Sequence, residues 1–387
     1  MRQVPPAHTP IPPAALARLA APAGGAEAEL RAVLAERWPG TEAVLVGSGT
    51  QALTLGLAAL AGPEGEIALP GWGCYDLASA AVGAGVGVRL YDLDPRTLQP
   101  DPVSLARAAD GAAVGVVVSF FGIPVEPARL PTDEDTLWIH DAAQAHGARF
   151  GRDSIDARAD ATVLSFGRGK GWTGLGGGAL LLRTDRARAA VEVPALGEEV
   201  QGRLGMLVRG GAQWLLGRPA IYGLPARIPA LGLGETHYHP PRRVHRMAEI
   251  APAVLLATRA EADAEAEVRR REAAALRAAL TQAAEGRLVD AIEVRAQAEP
   301  GYLRFPVLDR GGADRERGAA LGVLPSYPRP LDTLEPLKPL LRTADPLPGC
   351  SRLARDLLTL PTHSRMSSRD RARLRAWSTA SASVSQP

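Results

Sequence analysis

The chain has 387 residues, of which 46% are hydrophobic and 22% charged, enough apolar material for a large core. Its net charge of +2 comes from intermixed signs, so no basic tract points to nucleic acid or an acidic membrane surface. Two cysteines cannot build a disulfide framework, and no run reaches the roughly 18–20 apolar residues of a membrane span. The proline-broken N-terminus lacks the apolar core of a signal peptide, so a soluble cytoplasmic protein is expected.

In chain order, residues 1–20 form an N-terminal arm, followed by short apolar runs alternating with helical stretches. The strand candidates are VLV (44–46), IAL (67–69), VRLY (88–91), VGVVVSF (114–120), LWIH (137–140), TVLSF (162–166) and ALLLR (179–183). Continuous apolar strands separated by Ala/Leu-rich helices predict a mainly parallel seven-stranded sheet covered on both faces. The last two strands are joined by a glycine-rich turn without a helix, so the final one is expected to run antiparallel. Beyond residue 185 the pattern breaks up. Trp214, Leu215, Leu216 and Ile221 are read as core or dimer contact rather than as a membrane-lying helix. Residues 247–280 predict one long helix, with few breakers and many Ala, Glu and Arg residues. A strand candidate, YLRFPVL (302–308), and short helices then suggest a smaller C-terminal domain. The expected division is a large domain over 21–245, a long helix and small domain over 246–377, and a disordered tail over 378–387.

Ligands of an open parallel sheet gather at the carboxyl ends of its strands, and three clusters lie there. GSGTQAL (47–53) follows the first strand and opens a helix, where small residues let backbone N–H groups approach a phosphate. HDAAQAHGA (140–148) follows the fifth strand and carries Asp141, a carboxylate that needs a cationic or hydrogen-bonding partner. SFGRGKGWTGLGGGALLLR (165–183) places Ser165 at a strand end and Lys170 five residues on. The chain has 44 Lys and Arg residues, but only Lys170 and Lys338 are lysines. Only a primary amine forms an imine with a carbonyl carbon. Each cluster alone has an ordinary structural reading, as a tight turn or a helix cap. Together they supply a phosphate cradle, a carboxylate and an amine, the requirements of pyridoxal 5'-phosphate (PLP). A phosphate-binding P-loop is excluded, because Leu164 and Gly171 stand where it needs glycine and Ser or Thr. His237, His239 and His245 lack the carboxylate spacing of a metal site, and no metal is expected.

SGTQALTLGLAAL, LYDLDPRTLQPD, HDAAQAHGARFG and the Lys170 segment occur in the order and spacing of the DegT/DnrJ-type sugar aminotransferases, which the chain resembles over most of 40–370. The resemblance implies the fold of type I PLP enzymes: a three-layer α/β/α large domain with a smaller α+β domain, assembled as a homodimer. It implies that Lys170 holds PLP as an internal aldimine, that Asp141 pairs with the pyridine nitrogen, and that Gln144 bonds the ring's 3'-oxygen. Gly49, Thr50 and Ser165 would hold the phosphate. The ring-stacking position falls on Cys74, with Trp72 and Tyr75 beside it. The asparagine that relatives extend to the neighbouring cofactor is missing from RRVHRMAEI, where Arg243 or His245 could substitute. The implied reaction moves an amino group from glutamate or glutamine to a keto-sugar, with a nucleotide-linked sugar as the expected form. A sugar dehydratase, which typically has histidine in place of the lysine, and a non-catalytic PLP-binding regulator are the alternatives. Arg329 is a further candidate for a substrate carboxylate or phosphate, or an ordinary surface arginine.

Overall fold

The computed structural model describes residues 2–20, 23–131, 135–149, 155–191, 197, 202–223, 236–283 and 288–380. The N-terminal segment contributes helices α1 (Pro13–Arg18) and α2 (Ala26–Arg37). The seven strands follow: β1 (Glu42–Val46), β2 (Glu66–Pro70), β3 (Gly87–Tyr91), β4 (Val114–Val118), β5 (Leu137–Asp141), β6 (Ala161–Ser165) and β7 (Gly178–Leu182). They form one sheet in the order β1-β7-β6-β5-β4-β2-β3. β3, β2, β4, β5 and β6 pair in parallel, whereas β7 runs antiparallel to both β6 and β1, as its glycine-rich approach predicts. The run at 114–120 ends early as a strand. Phe120–Gly122 form a short 3₁₀ turn, and Phe121 takes a left-handed φ of 56°, which no ladder accommodates.

Burial on both faces explains the continuous apolar strands. Val44, Val46, Val163, Leu180 and Leu182 join one core, while Leu45, Leu164, Ala179 and Leu181, which alternate with them, join another. The covering helices are α3 (Gly49–Ala61), α4 (Tyr75–Ala84), α5 (Pro102–Ala109), α6 (Ile155–Arg158) and α7 (Asp185–Ala190). α3 lies so close to the sheet that a Cβ on Gly56 would meet Ile139 Cδ1 at 3.1 Å.

Next come α8 (Arg203–Leu216), α9 (Pro219–Tyr222) and α10 (Ala251–Gln282), the predicted long helix. α8 buries Met206 and Gln213 but leaves Leu204, Leu207, Val208 and Leu215 exposed. Leu215 is therefore no core residue of this protomer. Trp214, Leu216 and Ile221 are half-buried. The remainder of the expected contact segment, 224–235, lies outside the described residues. α10 packs Val254, Leu255 and Ala262 into the core beside the large sheet, and Ala273, Leu276 and Leu280 into a third core. That third core covers a four-stranded antiparallel sheet, order β10-β11-β9-β8, made by β8 (Val289–Ala291), β9 (Phe305–Asp309), β10 (Leu324–Pro325) and β11 (Leu357–Leu360). Helices α11 (Arg315–Ala320), α12 (Pro348–Asp356) and α13 (Ser368–Thr379) complete this part.

Two boundaries differ from expectation. The 302–308 strand begins only at Phe305, because Tyr302 has φ 43°. Ser378, placed in the expected tail, is fully buried in the last turn of α13; residues 381–387 lie outside the described residues. The second sheet's part is fastened to the first by Asp92, whose carboxylate accepts from the N–H groups of Gly349 (2.9 Å) and Cys350 (2.7 Å) at the start of α12.

Candidate active site

All seven residues singled out in the sequence line one chamber of about 40 Å³: Gly49, Thr50, Cys74, Asp141, Gln144, Ser165 and Lys170. Each stands where topology puts it. Gly49 and Thr50 begin α3 directly after β1, Asp141 ends β5, Ser165 ends β6, and Lys170 follows in the glycine-rich turn before β7. Ser48 caps α3 by accepting from Gln51 N (3.2 Å), leaving the N–H groups of the first turn for another acceptor. Gly49 has no room for a side chain, since an ideal Cβ would lie 2.5 Å from Ser165 Cβ. Helix start and strand end are thus in direct contact, placing backbone donors and the Ser165 hydroxyl together.

Among the described residues Asp141 accepts one hydrogen bond, from Ala143 N (2.9 Å), and desolvation pushes its carboxyl above the ordinary range despite that bond and the Lys170 charge. A cationic partner at this carboxylate would offset the desolvation. Its neighbour His140 is fully buried between Ser119 Oγ (2.8 Å) and Asp156 Oδ1 (2.6 Å), which fixes the end of β5. The Lys170 carbonyl accepts from the Thr9 hydroxyl, so the N-terminal arm holds the lysine's turn.

The chamber adjoins a cavity of about 360 Å³, with which it shares Cys74, Asp76, Gln144, Lys170 and Tyr327. Tyr327 and Asp76 escaped the sequence reading. Gln144 is held at both ends: its Oε1 accepts from Phe121 N (2.9 Å) and its Nε2 donates to Tyr327 Oη (2.6 Å). Tyr327 stacks on Phe121, with ring centres 6.3 Å apart, and burial pushes its phenol upward. The left-handed Phe121 is the price of presenting both its N–H and its ring to this group.

Of the three candidates for the ring-stacking position, only Cys74 lines the chamber. Trp72 is buried elsewhere, donating to Tyr327 O (2.9 Å), and Tyr75 lines neither space. Burial, with Asp76 nearby, pushes the Cys74 thiol up to about 12, so it remains protonated. Arg243 and His245 sit apart, in a cavity of about 670 Å³ beside Ser48 and Gln51. Arg329 is exposed and bonded to Thr333 O (2.5 Å), in the manner of a surface arginine.

Residues 20–205 match the DegT/DnrJ/EryC1/StrS aminotransferase family. The matched segment makes up a little under half of the chain. It carries all seven chamber residues named from the sequence. Among curated proteins, an L-glutamine:2-deoxy-scyllo-inosose aminotransferase of Streptoalloteichus tenebrarius is 34% identical over 147 residues, 36% of this chain and 35% of that protein. The chain spans about a third of the length of the curated relatives it matches. Likeness in fold extends much further. AtS13 from Actinomadura melliaura superposes with a TM-score of 0.72 at 23% identity, covering 98% of this chain and 99% of that one. An E. coli GDP-4-keto-6-deoxy-D-mannose-3-dehydratase solved with bound hydrated PLP superposes with a TM-score of 0.75 at 16% identity, covering 98% and 100%. The DegT/DnrJ/EryC1/StrS match ends at residue 205, but the shared fold includes the second sheet.

Proposed function

We propose that the protein is a PLP-dependent aminotransferase that moves an amino group from glutamate or glutamine to a keto-sugar or related polyhydroxylated ketone, nucleotide-linked in the form the family resemblance implies. The observation that carries this reading is the meeting of Lys170, Asp141 and the α3 N-terminus in one chamber. The residues fit the cofactor. Gly49 and Thr50 N–H groups and Ser165 Oγ form an anion cradle, closed by a contact that admits no Cβ at Gly49. Asp141, half-buried and accepting from Ala143 N, suits a protonated pyridine nitrogen.

When bound, PLP supplies an electron sink for charge developing at the donor's α-carbon. Lys170 would hold the cofactor through its primary amine and, once free, would serve as the group that takes and returns the proton at the donor's α-carbon. Asp141 would hold a proton on the ring nitrogen, which sustains that electron sink. Gln144, locked by Phe121 and Tyr327, would offer the cofactor an amide of fixed orientation. The buried aromatic residues around Tyr327 exclude water from that side.

The test is the visible absorbance of the PLP-loaded protein on adding glutamine or glutamate. Bleaching of the cofactor band, restored by a keto acceptor, is expected. Lys170→Arg should lower turnover by about 100- to 10,000-fold although charge is kept. A PLP band that no amino donor discharges would refute amino transfer and favour a dehydratase or non-catalytic role. In the same reading the protein works as a cytoplasmic homodimer.

A further inference from the structure

The larger cavity is lined by three cations, Lys170, Arg168 and Arg304, and by one carboxylate, Asp76. Among the described residues, neither Arg168 nor Arg304 has an acidic partner within ion-pair distance. Arg304, half-buried just before β9, makes one long hydrogen bond among the described residues, to Thr359 Oγ1 (3.4 Å). A partly desolvated guanidinium without a counter-ion is costly, and an anionic ligand would relieve it. Gln213, on the inner face of α8, lines the same cavity and is 8% exposed. Both its amide nitrogen and its amide oxygen are buried without a hydrogen-bond partner among the described residues. Such a group calls for a ligand bearing both a donor and an acceptor.

We propose that Arg304 and Gln213 form the amino-donor subsite, Arg304 binding the α-carboxylate and Gln213 pairing with the side-chain carboxamide of glutamine. This rests on the aminotransferase reading and extends it to the choice of donor. A carboxamide offers Gln213 an acceptor for its N–H and a donor for its oxygen. The second carboxylate of glutamate offers acceptors only, and leaves the Gln213 oxygen unpaired. Arg168 adds positive potential at the same cavity without selecting between the two.

The experiment is calorimetry on borohydride-reduced holoenzyme, in which PLP is fixed and no amine can react. L-Glutamine, L-glutamate and 4-aminobutanamide, which is glutamine without its α-carboxylate, are titrated into wild type, Arg304→Gln and Gln213→Leu. Wild type should bind glutamine more tightly than 4-aminobutanamide by roughly 10- to 100-fold. Arg304→Gln should collapse that ratio toward one while keeping the preference for glutamine over glutamate. Gln213→Leu should erase the preference and keep the ratio. If both ratios survive in both variants, or if a variant weakens all three ligands by the same factor, the subsite is overturned while the aminotransferase reading stands. If reduction fixes no PLP on Lys170 of wild type, that reading fails, and the subsite with it.

Discussion

Replacing Gly49 with alanine probes the contact that builds the phosphate cradle. An ideal Cβ there lies 2.5 Å from Ser165 Cβ, 2.8 Å from its Oγ and 3.2 Å from its Cα. Carbon atoms pack best at roughly 3.5–4.0 Å, so α3 and β6 must separate by about 1 Å. Overpacking of this kind costs about 1–3 kcal/mol. The same displacement draws the first-turn N–H groups away from a bound phosphate, where each hydrogen bond to a charged group is worth about 1.5–3 kcal/mol. Gly49→Ala should therefore lower the denaturant midpoint of the apoprotein and weaken PLP binding about 10- to 100-fold in an absorbance titration. Ser165→Gly removes the Cβ and Oγ that the new methyl group strikes. The double variant should recover stability relative to the sum of the single losses, a coupling of about 1–2 kcal/mol. Additive losses, or unchanged PLP affinity in Gly49→Ala, would refute the packing argument.

Two further outcomes follow from contacts at the chain's beginning. Thr9→Val removes the hydroxyl that holds the Lys170 carbonyl, a loss of about 0.5–1.5 kcal/mol, and should speed amide hydrogen exchange at residues 167–171. Unchanged exchange there would show that the arm does not restrain the lysine. Asp370 caps α13 with Ser367 and pairs with Arg2 (2.5 Å). Burial alone would raise its carboxyl, but these bonds hold it at about 2, below the ordinary 3.8. Because the folded value is depressed, its stabilisation is present above pH 3.8 and is lost as pH falls through about 2. Asp370→Asn should cost about 1 kcal/mol near neutrality and flatten that part of the acid unfolding curve; an unchanged acid limb would exclude this role.

The large sheet was legible because its strands are short, apolar and punctuated by glycine-bearing turns; every one of the seven starts and ends within two residues of the apolar run that marks it. Even the antiparallel β7 left a trace, in the absence of a helix between it and β6. The chamber was legible for the same reason: strand ends are fixed by the pattern, and Gly49, Asp141, Ser165 and Lys170 sit on or just after them. What stayed hidden comes from afar in the chain. Tyr327 meets Gln144 across 183 positions, and Thr9 meets Lys170 across 161. Neither lies in a periodic segment, and no local signal joins them. Gln213 looked like any polar residue of an amphipathic helix; only its unpartnered burial sets it apart. The early end of β4 could not be foreseen in VGVVVSF, because composition favours strand and the left-handed turn at Phe121, just beyond that run, is fixed by contacts with Tyr327 and the Gln144 amide. Arg304 sits in a run that reads as strand throughout, yet Tyr302–Arg304 precede β9, and Arg304 lines the cavity.

The chain's two lysines make the most direct test of the central claim unusually clean. The PLP-loaded protein is reduced with borohydride, digested, and the pyridoxyl mass located by peptide sequencing. Label on the peptide containing Lys170, and none on Lys338, is the predicted result. Label on Lys338 alone, or no label under conditions where PLP is in excess, would contradict a Lys170-linked cofactor and with it the proposed chemistry.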